Sequence, residues 1–349
     1  MKLGVANKET WIFLEDIVKY LSEKYPTDIF QATGWPLPVA QRKMTHWMLR
    51  RSLKQFIHRH DVVLFEWASE LLVEASDVYT PDAAAFVVRL HRYEMFQWVQ
   101  RINWETVRYV LLDTEAMRQK LLARTNLAPE RAIVLPNAVP LAKTSAAQRP
   151  FQGRIAILAN LIPRKRVYEL ILAFYAALQQ RPDLTLHVGG PPRPDNLAYY
   201  ESLHDLCRKL GIEEQVTFYG RVEDRWDWYQ QMDVFVSFGY SEGMQVAPIE
   251  AAASGCYCLS HWWEGAEEIF PRAQLSLTEA EFVAQVLAYS DADAARQAAM
   301  RQPLLDFVEQ SCNLGRINHE IEQILVRAHQ ERQAVRAGAQ PRPGEEAAA

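Results

Sequence analysis

Ser237 to Gly255 reads SFGYSEGMQVAPIEAAASG: a β-strand ends, a loop carries Glu242 and Gly243, and a helix opens near Pro248. Proline is pre-organised for a first helical turn, glycine lets backbone approach a ligand, and the free amides of a helix start point at whatever lies before it. Those parts together suit an anion, and a diphosphate fits the description. Outward from this stretch, short β-branched runs alternate with helix-length segments. The strands expected are Arg154 to Ala159, Leu184 to Gly189, Gln215 to Tyr219, Asp233 to Ser237 and Cys256 to Ser260. Such alternation predicts a doubly wound α/β domain, whose ligands bind beyond the carboxyl ends of the strands.

The first half is less regular. Its strand candidates are Lys2 to Val5, Asp61 to Phe65, Ala85 to Leu90, Val107 to Leu112 and Ala132 to Leu135, which predict a second α/β layer. At 349 residues the chain is long enough for two domains. The expected division is a first α/β domain over 1–145 and a second, ligand-binding one over 150–310, with the polar, proline-flanked stretch Pro140 to Gly153 as linker. A helix over 311–332 is expected to return toward the first domain. The Gly-, Pro-, Ala- and Glu-rich stretch 333–349 reads as a disordered tail.

Hydrophobic residues make up 49% and charged residues 23%, the balance of an ordinary folded protein. A formal net charge of −5 argues against a general nucleic-acid binder, which needs a strongly basic surface. Met1 to Val5 runs into a polar stretch without the basic and apolar regions of a signal peptide, and no apolar run is long enough to cross a bilayer. A cytoplasmic protein is the expectation, with any membrane contact peripheral. Cys207, Cys256, Cys258 and Cys312 are too irregularly spaced for a disulfide framework or a closed zinc site. Asp291 and Asp293, around Ala292, read as the N-cap and first-turn acids of a helix.

Glu250 falls near the first turn of the helix that begins at Pro248, and Glu242 lies in the loop before it, so the two carboxylates could flank one bound molecule. A carboxylate accepts two hydrogen bonds from a vicinal diol such as ribose, each contributing roughly 1.5–3 kcal/mol. The alternative is that Glu250 complements the helix dipole and Glu242 is a solvated loop residue. A second element, ANLIPRKR from Ala159 to Arg166, is basic at a strand end, and Arg164, Lys165 and Arg166 precede the helix expected over Val167 to Gln180. Cations and helix-start amides there could neutralise a pyrophosphate; a solvated basic turn is the other reading.

With these motifs the sequence resembles the retaining GT-B glycosyltransferases of the large family four, group 1, over about Arg154 to Ile269. Glu242 and Glu250 match that family's Glu-x7-Glu motif, together with Gly243, Pro248, Ala251 and Gly255. Lys165 matches its phosphate-binding lysine, and Pro163, Arg164, Gly190, Pro191, Gly220 and Glu268 fall where its pattern expects such residues. The resemblance implies two Rossmann-like domains facing across a cleft. It also implies that Glu250 binds the ribose, that Glu242 contacts the donor sugar, that the backbone of Gly243, Met244, Gln245 and Val246 lies near the phosphates, and that Val222 meets the base. Two departures stand out. Asn160 occupies the place of a second phosphate-binding arginine, so Arg164 or a residue of the first domain would have to supply that charge. Arg166 replaces a glycine, which a helix start is expected to tolerate.

In the first half the resemblance rests on Arg89, Leu90 and His91 and on Leu135, Pro136 and Asn137. It implies that His91, at a strand end, faces the donor sugar, where an imidazole can hydrogen-bond a hydroxyl or phosphate; a satisfied polar residue is the alternative. Lys8 to Ile12 stand where many members carry a Gly-rich loop. Val39 to His60 reads as a basic amphipathic helix with Met44, Trp47, Met48, Leu53, Phe56 and Ile57 on its apolar side. Such a helix lies on an anionic membrane or packs on its own sheet.

The reading is a hexosyltransferase that moves a sugar from a UDP-, GDP- or similarly carried donor to a saccharide or lipid-linked acceptor. It is expected to act with retention, with catalytic Glu242, His91 and Lys165, and without metal or cofactor. The competing readings are another GT-B sugar-nucleotide enzyme, such as an epimerase or an inverting transferase, and a catalytically silent nucleotide-sugar binder.

Overall fold

The computed structural model describes residues 1–11, 14–31, 42–141 and 150–337. The chain forms two compact units, Met1–Pro136 with Gly315–Ala349, and Asn137–Leu314. The expected linker, Pro140 to Gly153, lies past the division at Pro136, and its residues 142–149 are outside the described residues.

In the first unit, β1 (Leu3–Ala6), α1 (Glu15–Ser22), β2 (Thr27–Phe30), α2 (Arg42–Arg59), β3 (Val62–Glu66), α3 (Glu70–Asp77), β4 (Ala85–Leu90), α4 (Glu94–Gln97), β5 (Val107–Leu112), α5 (Glu115–Leu122) and β6 (Ala132–Val134) follow in order. The sheet runs β2-β1-β3-β4-β5-β6, and every pairing is parallel. β3 and β4 are buried along their whole length, because a parallel sheet carries helices on both faces and leaves no strand face for water. Phe65 and Phe86 meet edge to face at 5.0 Å in that core. The edge strand β2 has no counterpart in the sequence reading: of TDIF only Phe30 is buried, so it lacks an apolar run.

In the second unit the order is β7 (Arg154–Leu158), α6 (Val167–Leu178), β8 (Thr185–Gly189), α7 (Leu197–Leu210), β9 (Val216–Gly220), α8 (Arg225–Tyr229), β10 (Val234–Ser237), α9 (Val246–Ala253), β11 (Tyr257–His261), β12 (Leu275–Ser276), α10 (Glu279–Ser290) and α11 (Ala294–Ser311). The sheet runs β12-β11-β10-β7-β8-β9, again all parallel. Strand order therefore reverses between β7 and β10, and a doubly wound sheet binds its ligand at the carboxyl ends flanking such a reversal. The four cysteines are buried as thiols, not joined in disulfides. Thr278 and Glu281 form a capping box at the start of α10. Asp293 caps α11 by accepting from the Arg296 amide at 2.8 Å. Asp291, expected at the same helix start, instead closes α10 and pairs with Arg181 at 2.8 Å.

Helix α12 (Leu314–Arg336) belongs to the first unit from Gly315 onward. It runs past Arg332 into the stretch expected to be a tail. The reason is tertiary: Arg332 donates to the Ala83 carbonyl at 2.7 Å and the Asp82 carbonyl at 3.1 Å, and Arg336 also donates to the Asp82 carbonyl. Residues 338–349 lie outside the described residues.

The apolar side expected for the helix over Val39 to His60 is divided in two. Leu53, Phe56 and Ile57 are buried in the core, whereas Met44 (55%), Trp47 (58%) and Met48 (38%) are exposed. Trp47 carries the Arg51 guanidinium at 5.4 Å from its ring centroid. Residues 39–41 are outside the described residues.

Candidate functional site

Two loops at the reversal point carry the charged residues of the second unit: 159–166 after β7, and 238–245 after β10. Glu242 is the buried centre. Lys165 Nζ lies 2.9 Å from its Oε1, and the Arg164 guanidinium lies 2.6 Å from its Oε2. Arg164 also donates to the Ser241 carbonyl at 2.7 Å, and Lys165 to the Gln245 Oε1 at 3.3 Å. Gln245 in turn donates to the Ser237 hydroxyl at 2.6 Å, which ties the loop to the end of its own strand. Arg164 and Lys165 are thus held against a carboxylate, where the sequence reading placed them against a phosphate. The solvated-loop reading of Glu242 does not describe it.

Gly239, two residues past the end of β10, makes this possible. A β-carbon there would stand 2.1 Å from Glu242 Oε1 and 3.2 Å from the Arg164 carbonyl. Asn137 braces the far side of the loop, its side-chain amide donating to the Met244 carbonyl at 2.7 Å. Helix α9 then starts at Val246 with Gln245 as N-cap, whose side chain does not cap the helix. Pro248 lies inside that first turn, where its missing N–H costs nothing. Gly243, Gln245 and Val246 are half-buried and Met244 is buried.

Arg166 adopts φ 53 and ψ 38. The glycine preference at this position is therefore a matter of left-handed backbone rather than of helix entry, and a larger residue there is strained by about 1–2 kcal/mol. Its guanidinium offsets part of that by pairing with Glu279 at 2.7 Å and lying 5.0 Å over the Phe238 ring. Asn160 is exposed and its carbonyl accepts from the Ile162 amide at 2.9 Å. Val222 packs against the core cluster that contains Trp228.

Glu250, on α9, is buried and has a cation of its own. Arg225 Nε lies 3.0 Å from Oε1 and 3.1 Å from Oε2, and the Tyr229 hydroxyl donates to Oε2 at 3.1 Å. Burial, and next the Glu250 charge, push the Tyr229 phenol well up, so it remains a donor. Arg225 and Tyr229 escape a sequence reading, because no spacing rule links α8 to a residue on α9.

In the first unit, His91 follows β4. Its Nε2 lies 2.9 Å from Glu66 Oε1, and Arg89 contacts both Glu66 oxygens, at 3.0 and 2.9 Å. Burial pushes the Glu66 carboxyl up, but Arg89 and His91 outweigh it and hold the group below the usual range. With a carboxylate accepting at Nε2, that nitrogen carries the imidazole proton. Trp67 lies against His91, the ring centroids 4.1 Å apart and the planes tilted by 42°, from a backbone with φ 74. Glu94 accepts from the Ala68 and His91 amides at 3.1 and 3.3 Å. Its Oε2 is buried without a hydrogen-bond partner among the described residues, and burial pushes its carboxyl up to about 7. Ile12, at the end of the stretch that replaces a Gly-rich loop, lies outside the described residues.

Residues 152–296 match the family model of glycosyl transferases, group 1. That group 1 match spans both charged loops and α9. The lipopolysaccharide core biosynthesis mannosyltransferase LpsB of Rhizobium meliloti (strain 1021) is 34% identical over 114 residues, which are 33% of this chain and 32% of that protein. A D-inositol 3-phosphate glycosyltransferase 2 of Catenulispora acidiphila is 31% identical over 120 residues, 33% of this chain and 28% of that one. The chain thus matches about a third of the length of these curated relatives. Among solved structures, Anabaena HepE in complex with UDP and glucose has a TM-score of 0.76 at 16% identity over 93% of this chain and 99% of that one. Sucrose-phosphate synthase from Thermosynechococcus elongatus has a TM-score of 0.75 at 12% identity, covering 95% and 100%. At such identities the likeness is one of fold: the two parallel α/β sheets are those of GT-B glycosyltransferase structures.

Among the described residues, no helix is long and apolar enough to cross a membrane.

Proposed function

We propose that this chain is a metal-independent glycosyltransferase that moves a hexose from a nucleoside-diphosphate sugar to a saccharide or lipid-linked acceptor with retention of configuration. One observation carries the reading: Lys165 and Arg164 meet Glu242 at the reversal point of a parallel sheet, directly before the first amides of α9. A diphosphate entering there exchanges the carboxylate for phosphate oxygens on two cations that are already in place. Charge that develops on the leaving diphosphate then meets donors needing no reorganisation, and such preorganised electrostatics usually lowers the barrier more than any other single effect. Glu250 takes the ribose, Glu242 the donor sugar, and His91 a hydroxyl or phosphate of the donor. Relatives named as glycosyltransferases and a UDP-bound structural neighbour support the donor class.

The test is sugar transfer by Glu250→Ala and Lys165→Ala, each of which is expected to abolish turnover; near-normal rates in both would remove the proposal's support. A thermal-shift screen of nucleotide sugars identifies the base and sugar, and the anomer of the product separates retention from inversion. Slow hydrolysis of a donor excludes a silent binder.

The exposed Met44, Trp47 and Met48, with Arg51 beside them, favour a lipid-linked acceptor reached from the cytoplasmic face of a membrane. Sedimentation with anionic liposomes is the expected outcome for the intact chain. Its absence counts against the membrane contact and leaves the donor chemistry untouched.

A further inference from the structure

Glu250 is held by α8, a short helix to which the sequence reading assigns no role. Arg225 Nε spans both Glu250 oxygens at 3.0 and 3.1 Å, while Tyr229, one turn along the same helix, donates to Oε2 at 3.1 Å. Residues four apart share a helix face, so one element presents both donors to one carboxylate. The start of α8 is itself fixed. Asp224 accepts from the Trp226 and Asp227 amides at 3.0 and 3.2 Å, and the Arg225 guanidinium lies 4.8 Å over the Trp226 ring. Glu250 is 4% exposed and Tyr229 is fully buried. A carboxylate so buried gives up its charge unless a cation stays beside it.

We propose that Arg225 is the positioning residue for ribose recognition, holding the buried Glu250 as a charged acceptor so that a nucleotide's ribose hydroxyls meet a carboxylate rather than an acid. The proposal rests on the donor-site reading above and assigns to α8 the part of nucleotide specificity that comes from the sugar rather than from base or phosphate. Arg225 Nε, nearly equidistant from the two oxygens, supplies the counter-charge, while Tyr229, bonded to Oε2 alone, resists turning of the carboxylate. Without Arg225 the buried acid takes up a proton or turns toward Tyr229, and one of its oxygens becomes a donor facing the hydroxyl hydrogens it ought to accept.

The experiment is calorimetric titration of the full chain with UDP, GDP and ADP, then of the tightest of these against its 2′,3′-dideoxy form. Wild type, Arg225→Ala, Arg225→Gln and Arg225→Lys are compared. Charge-assisted hydrogen bonds to the diol predict a wild-type preference for the ribose form of about tenfold or more. Arg225→Ala and Arg225→Gln are expected to cut that preference below about threefold while leaving the affinity for the dideoxy form within about twofold. Arg225→Lys, which keeps the charge but not the planar fork, is expected to fall between. A merely structural arginine would lower the melting temperature and leave the ratio alone. A preference that is unchanged or raised in both Arg225→Ala and Arg225→Gln overturns the inference. Binding by wild type without any preference for ribose overturns it together with the role of Glu250, and failure to bind all three diphosphates overturns the donor-site reading itself.

Discussion

In the first unit, the carboxylate of Glu66 is the last residue of β3 and takes its cation from the next strand, with Arg89 on β4 and His91 just beyond. In the second, Glu242 stands in the loop past β10 and takes Arg164 and Lys165 from the loop past β7. Both lie at carboxyl ends of parallel strands, and both are buried. They differ in what holds the carboxylate still. Glu66 is fixed by the sheet, whose register sets Glu66 beside Arg89. Glu242 is fixed by loop geometry, through Gly239, Ser237–Gln245 and Asn137–Met244. A strand-held carboxylate belongs to the core and its loss should be felt as stability. A loop-held one can exchange partners, and its loss should be felt as activity.

The sharpest way to break this contrast is Glu66→Ala, which leaves Arg89 buried without its counter-charge. Denaturant unfolding is expected to show a loss of about 3–5 kcal/mol, and a loss below about 1 kcal/mol would place Glu66 with the loop-held class. Next comes Glu94. Its carboxyl is pushed up to about 7 from 4.5 by burial, so the folded state binds the proton more tightly than the unfolded chain. The stability this gives is fully present below pH 4.5, and it is lost as pH rises through about 7. Unfolding free energy should fall by up to about 3 kcal/mol between pH 4.5 and 8 on this account. Glu94→Gln should flatten that part of the profile, and an unchanged slope in the variant would refute the assignment.

Gly239→Ala sharpens the comparison from the other side. The added carbon must displace Glu242, so transfer is expected to fall about 10–100-fold, equivalent to about 1.4–2.7 kcal/mol of barrier. The melting temperature should move far less than in Glu66→Ala; a large loss of stability with activity intact would undo the distinction. The smallest effect is expected of Arg166→Gly, which relieves left-handed strain but removes the pair with Glu279. A net change within about 1 kcal/mol in thermal unfolding is the expected result.

Legibility followed the same division. Val107 to Leu112 and Ala85 to Leu90 could be delimited from sequence because each is a mostly apolar, β-branched run broken by a single arginine, Arg108 or Arg89, as suits a strand covered on both faces. β2 and β12 could not: one is an edge strand that is mostly exposed, and the other is two residues long. Glu242, Glu250 and Lys165 stood out because glycine, proline and charge cluster at fixed spacing around a strand end. Arg225, Tyr229 and Glu66 did not, since their partners lie on other elements at separations that no helical or strand period encodes. Where the apolar side of α2 leaves the core was not legible for a related reason, as periodicity marks an apolar side but not where the core beneath it stops.

The sequence alone determined that two parallel α/β sheets form and where one of them turns basic and acidic side chains outward, because burial period, turn chemistry and helix-start signals are local and add along the chain. Tertiary structure decided which charge meets which. Glu242 took both cations of the other loop, Glu250 took Arg225, and His91 took Glu66, since a buried carboxylate pairs with whatever cation the strand order brings within reach, and strand order is not written in any single segment.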